Sequence, residues 1–424
     1  MKLLSKSSSR RVISWALYDW ANSAFATTVM AGFFPAFFKT YWSADTPVST
    51  STYQLGTANA LASLALALAA PFLGALADTS RSTKKFLLAF ASLGISMTAA
   101  LYFVSRGSWM LAAFCYILAT VGFSGSTIFY DALLIHVSPK NKVDLVSALG
   151  YGFGYLGGGI LFSLNIAMVL SPATFGIQTP EAAFRISFVL VAAWWALFSL
   201  PLIFFVPQPG VTPHRPEQRV TGQSFTELRH TLRDLRTMRE PLLFLVAYFL
   251  YIDGVDTVIR MAVDYGMSIG FPRQAVLTAL LITQFVGFPA SILFGKLGSW
   301  IGARQGILFG LGVYLAVLGW SFFMDQVRDF YVLAVVIGLV QGGVQSLSRS
   351  FYTRLIPSDK SAQFFGFYNM WGKFGAIIGP ALMGWTSLVT NNPRASILAV
   401  AVLFIGGAVL LSCVKSPEAV KNQE

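Results

Sequence analysis

Asp253, Asp256 and Arg260 stand within eight positions of one another in the otherwise apolar run PLLFLVAYFLYIDGVDTVIRMAVDYG. At about 100° per helical residue they share an arc of about 60°, so a helix would present them on one face. If that face met lipid, the three charges would cost roughly 8–10 kcal/mol together, so they are expected to face an interior. Asp256 and Arg260 are an acid-then-base pair at i,i+4, which leaves Asp253 as surplus charge. A self-neutralising ion pair is one reading. The other is a polar surface that holds an amine, a carboxylate or a proton.

Similar polar groups recur in four more apolar runs. LAVVIGLVQGGVQSLSRSFYTRLIP places Gln341, Gln345, Ser348 and Arg349 on one face, with Gly338, Gly342 and Gly343 allowing close helix approach. Amide packing would explain the glutamines. A guanidinium needs an anion, either a partner carboxylate or a substrate. GFSGSTIFYDALLIHV offers Ser124, Thr127 and Asp131 on one face, and Asn369 and Lys373 are spaced i,i+4 farther on. ISWALYDWANSAF carries Asp19 and Asn22 on the face of Trp15, with Tyr18 and Trp20 turned away by about 100° each. Outside these runs, GALADTSRSTKKFL supplies Gly74 for close packing and Asp78 at a helix end, where it can bond backbone N–H groups or a cation. Lys84 and Lys85 are placed to meet anionic headgroups.

Membrane helices must position these residues. Of 424 residues, 55% are hydrophobic and only 11% charged, too few for a soluble fold of this size. With about 20 apolar residues needed per crossing, the sequence divides into twelve expected spans. These are 13–38, 53–77, 85–104, 109–134, 145–170, 183–206, 241–263, 274–298, 305–324, 330–353, 362–386 and 395–414. Of 30 Lys and Arg, 21 fall on one side, 6 on the other and 3 (Arg260, Arg349, Lys373) within spans, a bias that puts both termini in the cytoplasm. That distribution accounts for the net charge of +12 without nucleic acid. The stretch SFTELRHTLRDLRTMREP sets Leu228, Leu232 and Leu235 against Arg229, Arg233 and Arg236, a helix suited to lie at the cytoplasmic headgroups.

The sequence also repeats. SPKNKVDLVSALGYGFGYLGGGI aligns with IPSDKSAQFFGFYNMWGKFGAII, pairing Pro139 with Pro357, Lys142 with Lys360, Gly154 with Gly372 and Gly157 with Gly375. In the same register Asp131 is the counterpart of Arg349, so the two could pair across the halves as a gate. GKLGSWIGARQG echoes the Gly74–Lys85 loop, with Ser299 in place of the acid. The expected organisation is a six-helix half over 1–207, a linker over 208–240 with the basic helix, and a second six-helix half over 241–424. The site would lie between the halves. Cys115 and Cys413 lie in separate apolar runs and His136, His214 and His230 are scattered, so no metal, cofactor or catalytic dyad is expected and the chain does not read as an enzyme.

Twelve spans in two repeats, with G-x-x-x-D ahead of basic residues, resemble the major facilitator superfamily. WALYDWANSAF, YFLYIDGVDTVIRMA and GLVQGGVQSLSRSFYTRLIP narrow this to the vacuolar-effluxer-like branch, the autophagy-related amino-acid effluxers and their bacterial relatives. The sequence departs from the superfamily loop pattern at Thr79, where a basic residue is usual, and at Arg81, where glycine is common. The resemblance implies an all-α transporter of a small solute, working as a monomer in a bacterial inner membrane. Substrate or cavity residues would be Asn22, Asp253, Asp256, Arg260, Gln341, Gln345, Asn369 and Lys373. Asp19, Asp131 and Arg349 would serve proton transfer or gating. An amino acid or similar zwitterion is the expected substrate, with protons as a coupling partner. A sugar-type carrier using Trp15, Trp20 and Trp371 is the alternative, and a receptor or scaffold a more distant one.

Overall fold

The computed structural model describes residues 6–44, 46–209, 237–375, 378–390 and 393–415, and among them the chain forms helices and no strand. Apolar runs of this length leave the backbone without water partners, and helices satisfy those groups internally. The first helical run starts as α1 (Lys6–Ala24). It widens into a π-helical stretch (Phe25–Phe33), returns to one α-turn as α2 (Phe34–Phe37) and widens again (Phe38–Trp42). These wide turns coincide with aromatic packing: Phe34 stacks on Tyr116 at 3.9 Å and Phe37 on Phe184 at 5.0 Å.

Next come α3 (Val48–Thr79), α4 (Thr83–Ala100), α5 (Trp109–Val137), α6 (Val143–Leu170) and α7 (Pro180–Phe205). Beyond residue 237 the chain forms α8 (Arg239–Ser268), α9 (Arg273–Ile301), α10 (Ala303–Phe322), α11 (Val327–Leu355), α12 (Ser361–Gly375), α13 (Ile378–Thr390), α14 (Pro393–Ala399) and α15 (Ala401–Ser412). The basic leucine-faced helix expected around 228–235 lies outside the described residues.

Among the described residues, ten helices are long and apolar enough to cross a membrane. Two of the twelve expected spans are not among them, for local reasons. α1 carries Lys6, Arg10, Arg11 and Asp19 and passes into π turns before its apolar part. The eleventh span is described as α12 and α13, 15 and 13 residues long, each shorter than a crossing needs.

Two seams join the helices before residue 209 to those after 237: α3 runs along α12, and α6 along α9 and α11. Both tighten at the end of the bundle that holds the loops 80–82, 138–142 and 356–360, here called the basic end. No comparable seam joins α1 to α8 among the described residues. In the first seam the backbone of Gly74 presses on the carbonyl of Ala362, leaving no room for a Cβ.

Candidate functional site

Arg349 is the centre of the most connected polar cluster between the two parts of the chain. It sits on α11 in the stretch SLSRS, whose small side chains let α6 approach. Ser348 donates to the Val344 carbonyl at 2.6 Å, so its hydroxyl is satisfied within the helix. The guanidinium is only 2% exposed. Its Nη1 donates to Asp131 Oδ1 at 2.9 Å, its Nε to Ser147 Oγ at 2.9 Å and its Nη2 to the Ser147 carbonyl at 2.8 Å. Rings enclose it: Tyr151 at 4.4 Å, Trp15 at 5.0 Å and Tyr130 at 5.3 Å from centroid to Cζ. Cation–π attraction adds to the ion pair in such a desolvated setting.

Asp19 is a second carboxylate on the same guanidinium, at 3.9 Å from Nη1. It accepts from Tyr130 at 3.2 Å and from Ser23 at 3.4 Å, and its side chain keeps 15% exposure. Asn369 Nδ2 donates to Asp131 Oδ2 at 3.3 Å, adding α12 to the cluster. Two carboxylates thus face one guanidinium, which leaves one negative charge to be balanced by a proton or a bound cationic group. The pairing of Asp131 with Arg349 that the repeat register suggested is present as a direct bond.

The basic end is held by two further contacts. Asp78 accepts from the backbone N–H groups of Gln363 at 2.8 Å and Ala362 at 3.2 Å, so a carboxylate at the end of α3 caps the first turn of α12. Asp144, in the first turn of α6, accepts from Arg354 at 2.6 Å and from Ser350 at 2.6 Å, both on α11. Arg81 closes the loop after α3 at φ 51°, the left-handed conformation glycine adopts without strain. Lys84 does not reach for headgroups. Its Nζ donates to the carbonyls of Ile203 and Val206 at 2.6 Å each, where the C-terminal end of α7 leaves acceptors unpaired. Lys85 is exposed.

The other expected residues divide. Asp253 is 1% exposed and accepts from the Gly379 N–H at 2.9 Å and from Thr257 at 3.4 Å; it caps α13 and does not line an open surface. Gly379 is required there, since a Cβ would collide with the Thr257 hydroxyl. Asn22 is 2% exposed, inside the packing around α1. Gln345 accepts from Tyr155 at 3.2 Å across the α6 seam, and Gln341 borders a cavity within the later helices. Asp256 is half-buried on α8. Arg260 and Lys373 lie on helical backbone, with their side chains outside the described set. The aromatic residues considered as sugar platforms are engaged: Trp15 stacks on Tyr130 at 4.3 Å, Trp20 on Trp194 at 5.7 Å and Trp371 meets Phe249 edge-on at 5.2 Å.

Sequence reasoning missed Ser147, Tyr130, Asp144 and Arg354. Asp144 and Arg354 lie near expected loops, where charges normally meet water. Their repeat-equivalents, Ala362 and His136, give no hint of a charged pair. Ser147 and Tyr130 look like ordinary helix residues until the two parts of the chain are brought together.

The profile of the vacuole effluxer Atg22-like family matches residues 44–424. The chain is 39% identical over 404 residues to the MFS-type transporter YxiO of Bacillus subtilis (strain 168), covering 95% of this chain and 94% of that protein. The chain belongs to the Atg22-like family. Autophagy-related protein 22-1 of Phaeosphaeria nodorum is 26% identical, with 87% of this chain and 76% of that protein covered. The fold agrees with this membership. The fucose:proton symporter FucP of E. coli superposes with a TM-score of 0.72 at 14% identity, covering 96% of this chain and 98% of that one. A bacterial homologue of ferroportin in an outward-facing state gives 0.68 at 13% identity, covering 96% and 99%. This Atg22-like chain is therefore a multi-pass membrane transporter with a major facilitator fold.

Proposed function

We propose that this Atg22-like transporter is a twelve-span, two-half machine that moves a small zwitterion, an amino acid or close analogue, by alternating access coupled to protons. The basic end faces the cytoplasm and is closed in the conformation described, an orientation supported by the 21-to-6 distribution of cations. The observation that carries the reading is Arg349, buried and bonded to Asp131 and Ser147 from the other half while Asp19 waits at 3.9 Å. Opening the basic end must break those bonds, and a buried guanidinium cannot be left unpaired without a large cost. A proton or a substrate ammonium on Asp19 balances the charge in one state. A substrate carboxylate replaces Asp131 at Arg349 in the other. The sugar-type reading is disfavoured because Trp15 and Trp20 already have ring partners.

The test is uptake or efflux of labelled amino acids by reconstituted full-length protein under an imposed pH gradient. Asp19→Asn should abolish gradient-driven accumulation while leaving exchange of internal for external substrate. If Asp19→Asn accumulates substrate as the parent does, the coupling assignment is wrong. If neither protein moves any amino acid, the substrate assignment is wrong.

A further inference from the structure

A cavity inside the later helices, away from Arg349, is not used by the proposed transport cycle. It lies between α8, α9, α10, α11 and Ile397, with about 780 Å³ of space between atoms, much of it open to the outside. α8 contributes Val258, Ile259, Ala262 and Tyr265. At about 100° per residue that stripe lies opposite Asp253, Asp256 and Arg260, so α8 turns one face to charge chemistry and the other to this cavity. On α11 the lining positions Phe330, Leu333, Ala334, Ile337 and Gln341 follow the i,i+3,i+4,i+7 pattern of one face.

The wall chemistry is selective. Most lining side chains are aliphatic, and among the described residues no carboxylate or cation lines the cavity. The hydroxyls present are already bonded: Tyr265 to the Ser321 carbonyl at 2.7 Å, Ser321 to that of Leu318 at 2.8 Å and Thr283 to that of Ala279 at 3.0 Å. Among the described lining residues, the amides of Gln284 and Gln341 keep donor and acceptor capacity for an occupant, Gln341 beyond its bond with the Tyr155 hydroxyl, and both lie toward the basic-end side of the cavity. An apolar cavity of this kind is poorly filled by water, which needs several polar partners, and well filled by a molecule of matching shape.

We propose that this cavity binds an uncharged amphiphile with an aliphatic body and a single hydroxyl or carbonyl head. The head meets Gln341 and Gln284, and the body extends toward Met324 and Phe330. Its position has a consequence for transport. The Tyr155 ring packs on α11 at Gly342, beside Gln341, and its hydroxyl bonds Gln345 one turn farther on. An occupant at Gln341 therefore abuts the face of α11 that carries the seam with α6, and can bias how the seam opens.

The probe is a medium-chain alcohol carrying a diazirine on its alkyl chain, photolysed with the full-length protein in nanodiscs and mapped by peptide mass spectrometry. The inference expects saturable labelling of α8–α11 lining residues, displaced by excess 1-octanol. Ala279→Phe, which fills the cavity, should lower that labelling severalfold. Gly312→Phe, where α10 faces open space, should not. Gln341→Leu should weaken labelling by the alcohol but not by a diazirine alkane without a hydroxyl. Ala262→Leu serves as the filling variant if Ala279→Phe does not elute as a monodisperse species. Labelling spread over lipid-facing residues, or unchanged by both filling variants, overturns the proposal. So does equal loss of alcohol and alkane labelling in Gln341→Leu.

Discussion

The α3–α12 seam and the α6–α9 seam grow from equivalent stretches of the repeat, yet different chemistry locks each. Their backbone contacts correspond closely. Gly74 lies against Ala362 and Gln363, and Gly295 against Asp144 and Leu145, which are the same positions in the repeat register. The polar locks do not correspond. At the first seam Asp78 reaches from α3 to the N–H groups of Ala362 and Gln363. At the second, Ser299 stands where Asp78 would, and its hydroxyl folds back on the Lys296 carbonyl at 2.6 Å. The acid has moved to Asp144 on the opposite helix, where it grips Arg354 and Ser350 of α11. Close glycine packing is a geometric need shared by both seams, because neither can shut around a Cβ. A lock needs only an acid and a donor, so either helix can supply the acid.

This contrast predicts unequal effects on closure. The largest is expected from Asp144→Ala. It strands Arg354 beside a site where the carboxylate is 4% exposed, while Arg354 itself keeps 22%. Breaking a fully buried pair costs about 3–5 kcal/mol; with Arg354 partly in water, about 2–3 kcal/mol of closed-state preference should be lost. Spin labels introduced as Lys140→Cys and Trp300→Cys, read by pulsed dipolar spectroscopy in a Cys413→Ser background, should show a longer distance component across the second seam. Asp78→Ala should act more weakly, by about 1 kcal/mol, because it removes a helix cap and not an ion pair. Labels at Lys85→Cys and Asp359→Cys should report it. Equal broadening at both seams from either variant would show that the locks act as one unit.

Much of this arrangement is legible in the sequence. The helical class follows from composition and span length. Asp131 and Arg349 could be matched because they stand at one repeat offset, in apolar runs where a charge needs a partner. Asp19 joined them only through the role that the family resemblance implies. The second lock was hidden because its members are not repeat-equivalents and lie where charges usually meet solvent. Asp253 misled for a related reason. A carboxylate in an apolar run needs donors, but the donor here is the Gly379 N–H, and a backbone group carries no sequence signature. The π-helical turns between Phe25 and Trp42 were equally hidden, since aromatic residues in an apolar run read as ordinary α-helix until their packing partners on α5 and α7 are known.

The smallest predicted effect isolates the difference between the seams most directly. Ser299→Asp alone should change closure by less than about 0.5 kcal/mol, because the new carboxylate gains helix N-terminal N–H groups but meets Asp144 as a like charge. In an Asp144→Ala background the same substitution recreates the arrangement of the first seam, with alanine at the helix start and an acid on the glycine-bearing partner helix. The α6 N-terminus is available for it, since Lys142 at the N-cap makes no side-chain capping bond. There Ser299→Asp should recover about 1 kcal/mol of the lost closure and shorten the Lys140–Trp300 label distance again. Recovery in the double variant with no gain in the single one would mean that the two acids are alternative solutions to one geometry. If the double variant stays as open as Asp144→Ala, Arg354 cannot be spared, and the second lock is an ion pair by necessity.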